Sequence, residues 1–295
     1  MDLVELPKAE VLCYHYLLRN SAQHNLPPLP VPTPRLLFAD HCPSTNNALC
    51  IMERVTHTLG DQTKPDSLAQ VKATMSCLAS LHSHFWGGAS GRHPEAKRLN
   101  DAANPICLIA GLKMKINIKS MLTLLQKENG YSPSPPLVAA LKNLVPDNML
   151  VLLRWCVDHP LNTVCHGDPR TDNVYFIGDP AAGTLTAGLF DFALAINAPC
   201  FYDISWSLGN LRKDFFDEHH DELLKFYWSE LMDKLAKVYG AETAKKADYE
   251  LFLVGYAMSQ AVCISKNTIA YEVRSGEEQS DELEKARLRE FNVQC

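Results

Sequence analysis

Between Pro65 and Trp86 the apolar residues Leu68, Val71, Met75, Leu78 and Leu81 recur at steps of three and four, which places them on one face of a helix. Pro65 stands near the start of that helix, where its missing N–H does no harm. The segment Ala9 to Arg19 is denser, with apolar residues at Val11, Leu12, Tyr14, Tyr16, Leu17 and Leu18, and predicts a helix packed on two sides. Five prolines between Pro27 and Pro34 then forbid helix and favour an extended connection. Two strand-like runs follow, RLLFAD and ALCIMERV. After the glycine-containing loop WGGASGRHPEAKR, two or three more helices are expected between Ile106 and Asp158.

The pattern changes at Asn162. A short run NTVC leads into HGDPRTDN, then VYFI, the turn GDPAAG, TLTAGLF and DFALA, which reads as two strands joined by a turn with acidic loop residues at their ends. From Phe201 onward the chain is helical again, and its last twenty residues predict a solvated charged helix with a frayed end. No internal repeat or low-complexity tract interrupts this order.

Composition narrows the function classes. The 28 basic residues against 34 acidic ones leave a formal charge of -6, so the broad basic footprint needed for a nucleic acid backbone is absent, and no nucleic acid partner is expected. No apolar run approaches the roughly 20 residues of a membrane-spanning helix, and MDLVELPKAE lacks the features of a secretory signal. A cytoplasmic location with no membrane association is the expectation. The ten cysteines include no Cys-x-x-Cys pair and are expected to be reduced, mostly buried thiols.

The chemistry lies in His166-Gly167-Asp168-Pro169-Arg170-Thr171-Asp172-Asn173, followed by Asp191-Phe192 at the end of the next apolar run. Phosphoryl transfer needs an acceptor hydroxyl held in line, a base near its proton and metal ions on the phosphates. An aspartate and an asparagine five apart on one loop can supply the base and one metal ligand. A second aspartate on a neighbouring strand end can hold Mg²⁺, which favours a few carboxylate or amide oxygens plus substrate oxygens. The order H-x-D-x-x-x-x-N and then D-F is that of kinases.

HGDPRTDNVYF and GLFDFALAINAPCFYDISW together resemble the catalytic loop and metal-binding strand of the aminoglycoside phosphotransferase superfamily, especially its choline-kinase-like and ecdysteroid-kinase-like branch. CLASLHSHFWG resembles that branch's first helix after the hinge, and LCIMERV the strand leading into the hinge; the similarity spans roughly Glu10 to Asn210. The resemblance implies an α+β, protein-kinase-like fold, with a partial N-lobe over residues 1–55 and a mainly helical C-lobe over 56–295 that carries the catalytic loop and β-hairpin at 162–192. It implies ATP and Mg²⁺ as cofactors and a small-molecule hydroxyl as acceptor. Asp168 would be the catalytic base, Asn173 and Asp191 the Mg²⁺ ligands, and His166 and Asp203 supports of the loop. The backbone of Met52, Glu53 and Val55 would border the adenine, and Glu10 stands where the family has the glutamate that pairs with a phosphate-binding lysine.

Only nine residues precede Glu10, which leaves no room for a glycine-rich loop and three strands, and Lys8 is too close to Glu10 to take the lysine's part. The N-lobe is therefore expected to be truncated. Three explanations stay open: a shortened version of a longer chain, a relative that has lost activity, and an enzyme that holds ATP without the usual clamp. Leu12, Leu17, Leu36 and Phe38 are expected to be partly exposed as a result. The other reading of function is an inactive pseudokinase or fragment that acts as a binding protein. A metal-dependent hydrolase is disfavoured because no further His or carboxylate cluster surrounds the motif. His82 and His84 read as ordinary helix-end histidines, His219 and His220 as solvent-facing. Trp155, Trp206, Tyr227 and Trp228 read as core packing before acceptor pocket. Asp172 and Asp179 read as turn residues with local hydrogen bonds.

Overall fold

The computed structural model describes residues 6–14, 31–88 other than 43 and 46, and 159–260, together with 91, 96, 97, 99 and 155–157. The helices expected between Ile106 and Asp158, the charged C-terminal helix and Leu17 lie outside the described residues, apart from 155–157.

The chain runs α1 (Leu6–Leu12), β1 (Leu36–Cys42), β2 (Asn47–Met52), β3 (Thr58–Leu59), α2 (Leu68–His84), β4 (Asn162–Cys165), β5 (Val174–Ile177), β6 (Thr186–Leu189), β7 (Ile196–Pro199), α3 (Phe201–Gly209), α4 (Lys213–Tyr239) and α5 (Ala241–Ala244), and is helical again over 249–260. Every strand pair is antiparallel: β1 with β2, β3 with β5 and β5 with β6, and β4 with β7. Three small antiparallel sheets set among helices make the expected α+β class.

The apolar stripe of α2 does what its spacing implies. Val71, Met75, Leu78 and Leu81 are buried, and α2 packs along α4 and beneath β6. Leu223, Leu231 and Leu235 answer from α4. Each buried leucine of this seam contributes roughly 1.5–3 kcal/mol. α3, with the sequence FYDISWSLG, is buried along its whole length and forms the centre of the helical part.

The hairpin of β5 and β6 closes through the turn at GDPAAG, where the Asp179 carboxylate accepts the Ala181 N–H at 2.8 Å. β7 is an element that the alternation of the sequence did not reveal. Its four residues INAP are all buried against β4, and a strand that short, ending in proline, carries no period of its own.

α1 leans on β1, β2 and the turn Phe192–Leu194, with Tyr14 edge-on to Phe192 at 5.5 Å. The β1–β2 hairpin leaves Leu37, Phe38, Leu49 and Ile51 exposed, Phe38 at 47%, while Leu12 and Leu36 are half-buried. Of the seven described cysteines, all free, five are buried, Cys50 is half-buried and Cys42 is exposed. Among the described residues no helix is long and apolar enough to cross a membrane.

Candidate active site

Between β4 and β5 the backbone folds into the loop His166 to Asn173, and α3 fastens it from below. Asp203 is fully buried, and its carboxylate accepts the N–H of His166 at 2.7 Å and of Gly167 at 2.8 Å. The next turn of backbone needs glycine: Gly167 has φ +86°, and a Cβ there would stand 1.8 Å from the Leu194 carbonyl oxygen. The His166 ring reaches the neighbouring strand end, Nε2 donating to the Phe190 carbonyl at 2.9 Å while Nδ1 accepts the Asp168 N–H at 3.3 Å.

A second buried layer holds Asp203 itself. His82 of α2 meets the Asp203 carboxylate at 3.1 Å through Nε2 and the Tyr227 hydroxyl of α4 at 2.7 Å through Nδ1. Burial pushes the Asp203 carboxyl up, but the hydrogen bond from His82, the nearby imidazoles of His82 and His166 and the Gly167 N–H outweigh it and hold the group below its ordinary 3.8. His82, Cys165 and Asp203 bring three metal-ligating atoms within 4.8 Å of one another. Both ring nitrogens of His82 are engaged by Tyr227 and Asp203, so the cluster braces the loop and leaves no imidazole nitrogen for an ion.

Above this base sits Asp168, 8% exposed. The Trp206 indole N–H donates to its Oδ1. Oδ2 has longer neighbours, Asn173 Nδ2 at 3.3 Å and Arg170 Nε at 3.4 Å, the latter an ion pair without hydrogen-bond geometry. Asn173 Nδ2 also donates to the Asp168 carbonyl at 2.9 Å, which fixes the plane of the amide and turns its oxygen away from that bond.

Asp191 enters from the other side of the same hairpin end. Phe190 N–H continues the β5–β6 ladder to the Asn173 carbonyl at 3.2 Å, so Asn173 and Asp191 flank neighbouring strand ends. Asp191 has φ 63° and ψ 67°, the one non-glycine residue with positive φ among the described residues. Its Oδ1 accepts the Ala193 N–H at 3.4 Å, and its own N–H donates to the Tyr14 hydroxyl at 3.1 Å. Such strain persists where the surroundings over-determine a residue, and it gathers at functional sites. Asn173 and Asp191 offer an amide and a carboxylate oxygen, the hard donors that suit Mg²⁺. Glu10 on α1 is half-buried, and its carboxyl is pushed up by burial first and by Asp191 second.

β2 ends at Met52, and the backbone runs on through Glu53 to Val55 without regular secondary structure. The Glu53 N–H is taken by the Arg35 carbonyl at 3.0 Å, with an Arg35–Glu53 ion pair at 2.7 Å beside it. The connection then passes against the loop: Gly60 N–H donates to the Val174 carbonyl at 2.8 Å, and a Cβ on Gly60 would lie 2.0 Å from the Thr171 carbonyl oxygen.

Several residues are placed otherwise than the sequence suggested. Asp172 makes no merely local turn: its carboxylate accepts the Gln62 backbone N–H at 2.9 Å and the Gln62 side-chain amide, tying the loop to the segment before α2. His82 stands in the last turn of α2, as expected, yet is fully buried and supports the loop. His219 and His220 are half-buried, and His220 reaches the Tyr256 hydroxyl at 3.2 Å. Trp155 stacks on Phe201 and Trp228 packs against Phe252, as core residues do, whereas Trp206 and Tyr227 belong to the site and its brace. The sequence carried one signal for Trp206, its place one helical turn after Asp203.

A family model described as the ecdysteroid kinase-like family matches residues 32–240. No curated protein matches the chain significantly in sequence. Among solved structures the chain is similar to aminoglycoside 2'-phosphotransferase-IIIa in its GDP complex, with 12% identity and a TM-score of 0.48 over 99% of this chain and 84% of that one. It is also similar to an ethanolamine kinase of Plasmodium vivax, with 12% identity and a TM-score of 0.48 over 98% of this chain and 72% of that one.

Proposed function

Because the chain belongs to the ecdysteroid kinase-like family, whose model covers residues 32–240, we propose that it is an ATP- and Mg²⁺-dependent phosphotransferase acting on a hydroxyl of a small molecule. The observation that carries this reading is the buried Asp168 carboxylate, held by Trp206 and Asn173 at the same hairpin end as the strained Asp191.

In this reading Asp168 orients the acceptor hydroxyl and takes up its proton while the acceptor oxygen bonds to the γ-phosphorus and the bond to the bridging oxygen breaks, leaving ADP. Asn173 and Asp191 would hold Mg²⁺ through their side-chain oxygens. When bound, Mg²⁺ neutralises charge on the phosphate oxygens. Met52, Glu53 and Val55 would border the adenine by main-chain contacts. With the Glu53 N–H already engaged by Arg35, that role falls to carbonyls and to the Val55 N–H. Amino sugars, choline-like alcohols and steroid-like alcohols are all compatible acceptors, and a cytoplasmic location belongs to the same reading.

A second reading, a binding protein of the same family without turnover, draws on Glu10, which stands where the family has the lysine-pairing glutamate and whose carboxyl is pushed up by burial first and by Asp191 second.

The two readings separate on ADP formation with Mg²⁺-ATP and a panel of those three acceptor classes. Acceptor-dependent ADP release is expected, and Asp168→Asn is expected to lower kcat by about 10²–10⁴-fold, the usual size of a general-base contribution. Saturable nucleotide binding with no ADP release for any acceptor would favour the binding protein.

A further inference from the structure

We propose that Trp206 is a positioning residue for the transfer: its indole N–H fixes Oδ1 of Asp168, so that Oδ2 is the oxygen presented to the acceptor hydroxyl. The inference rests on the phosphotransferase reading above.

Asp203 and Trp206 stand one helical turn apart on α3 and therefore share a face. From that face Asp203 grips the loop backbone at His166 and Gly167, and Trp206 grips the Asp168 carboxylate. One rigid, fully buried helix thus sets both the path of the loop and the orientation of its carboxylate.

The chemical character of the donor matters. Indole offers a single neutral N–H and no acceptor, so it fixes one carboxylate oxygen and adds no charge to that of Arg170 beside Oδ2. At Oδ2 the contacts are longer, 3.3 Å to Asn173 and 3.4 Å to Arg170, and the Arg170 contact lacks hydrogen-bond geometry. A hydroxyl can displace contacts of that kind, while Oδ1 stays engaged. Without Trp206 the carboxylate turns about its Cβ–Cγ bond, and proximity catalysis is sensitive to displacements of about 1 Å.

The test has two arms on the full chain. The four tryptophans give four indole ¹⁵N–¹H resonances, and Trp206→Phe identifies the one of interest. That resonance is expected to shift and to exchange faster with solvent in Asp168→Ala. In kinetics, Trp206→Phe is expected to lower kcat by about 10–100-fold with KM for ATP and acceptor within about twofold. An isosteric residue at position 206 with sulfur in place of the indole N–H should reproduce the kcat loss at an unchanged melting temperature. A packing role alone would leave that isostere fully active, and this result, or a resonance indifferent to Asp168→Ala, would overturn the proposal. Absence of turnover by the unsubstituted chain counts against the phosphotransferase reading instead, and the resonance then decides by itself whether Trp206 holds Asp168.

Discussion

Gly167→Ala is expected to cost on the order of 3–5 kcal/mol and to disorganise the loop from His166 to Asn173. Two effects add. The backbone at φ +86° disfavours any Cβ, and the new methyl would stand 1.8 Å from the Leu194 carbonyl oxygen and 2.5 Å from its carbon, backbone atoms that cannot swing aside. Relief would require Leu194 to withdraw, and with it the turn that follows Asp191. Gly183 separates the two effects, because its φ is +67° but a Cβ there meets nothing within 4 Å. Gly183→Ala is therefore expected to lose only about 1–2 kcal/mol. Urea denaturation midpoints of the two variants check this, and equal losses would show that the clash with Leu194 is not what makes Gly167 obligatory.

Asp203→Ala is expected to be as damaging, at about 3–5 kcal/mol, through unpaired polar groups. It leaves the His166 and Gly167 N–H groups and the His82 ring without their acceptor in a fully buried place. Asp203→Asn keeps one acceptor oxygen and is expected to lose less. The sign of the pH dependence follows from the depressed carboxyl. A group whose pKa is lower folded than unfolded stabilises the protein above its unfolded value, here 3.8, and that stabilisation fades as pH falls through the folded value. Denaturation midpoints followed downward from pH 5 should therefore fall more steeply below about pH 4 in the unsubstituted chain than in Asp203→Asn. Parallel curves would contradict the role of Asp203 as the ionised anchor.

The contrast between these anchors and the residues that hold them shows what the sequence disclosed. His166, Gly167, Asp168 and Asn173 lie within one short segment, so their spacing alone places them on one loop. Asp191 and Asp203 follow at strand and helix boundaries that the change of hydrophobic pattern marks. Likewise α2, the β5–β6 hairpin and the helices after Phe201 form where periodicity indicated. What local pattern does not carry is pairing between distant segments. His82 and Asp203 are 121 residues apart, and Gln62 and Asp172 are 110 apart. A buried histidine on an apolar helix face looks the same in sequence whether it supports an active loop or ends a helix. β7 was hidden for a related reason, since it exists only as the partner of β4. Trp206 was legible as a core aromatic, but its N–H finds Asp168 only after α3 and the loop have packed.

Whether the hairpin end formed by Asp168, Asn173 and Asp191 holds a metal–nucleotide can be read from the melting temperature of the chain with and without millimolar Mg²⁺-ATP, beside Asp191→Gly. Glycine at 191 accepts φ 63° without strain and removes only the carboxylate, so this variant isolates the ligand from the backbone. Nucleotide at about 100 times its Kd stabilises a folded protein by about 2.7 kcal/mol. A Mg²⁺-dependent rise that disappears in Asp191→Gly is expected. A well-folded chain that melts at the same temperature with and without Mg²⁺-ATP, or a rise that survives in Asp191→Gly, would show that this hairpin end does not hold the nucleotide through Asp191.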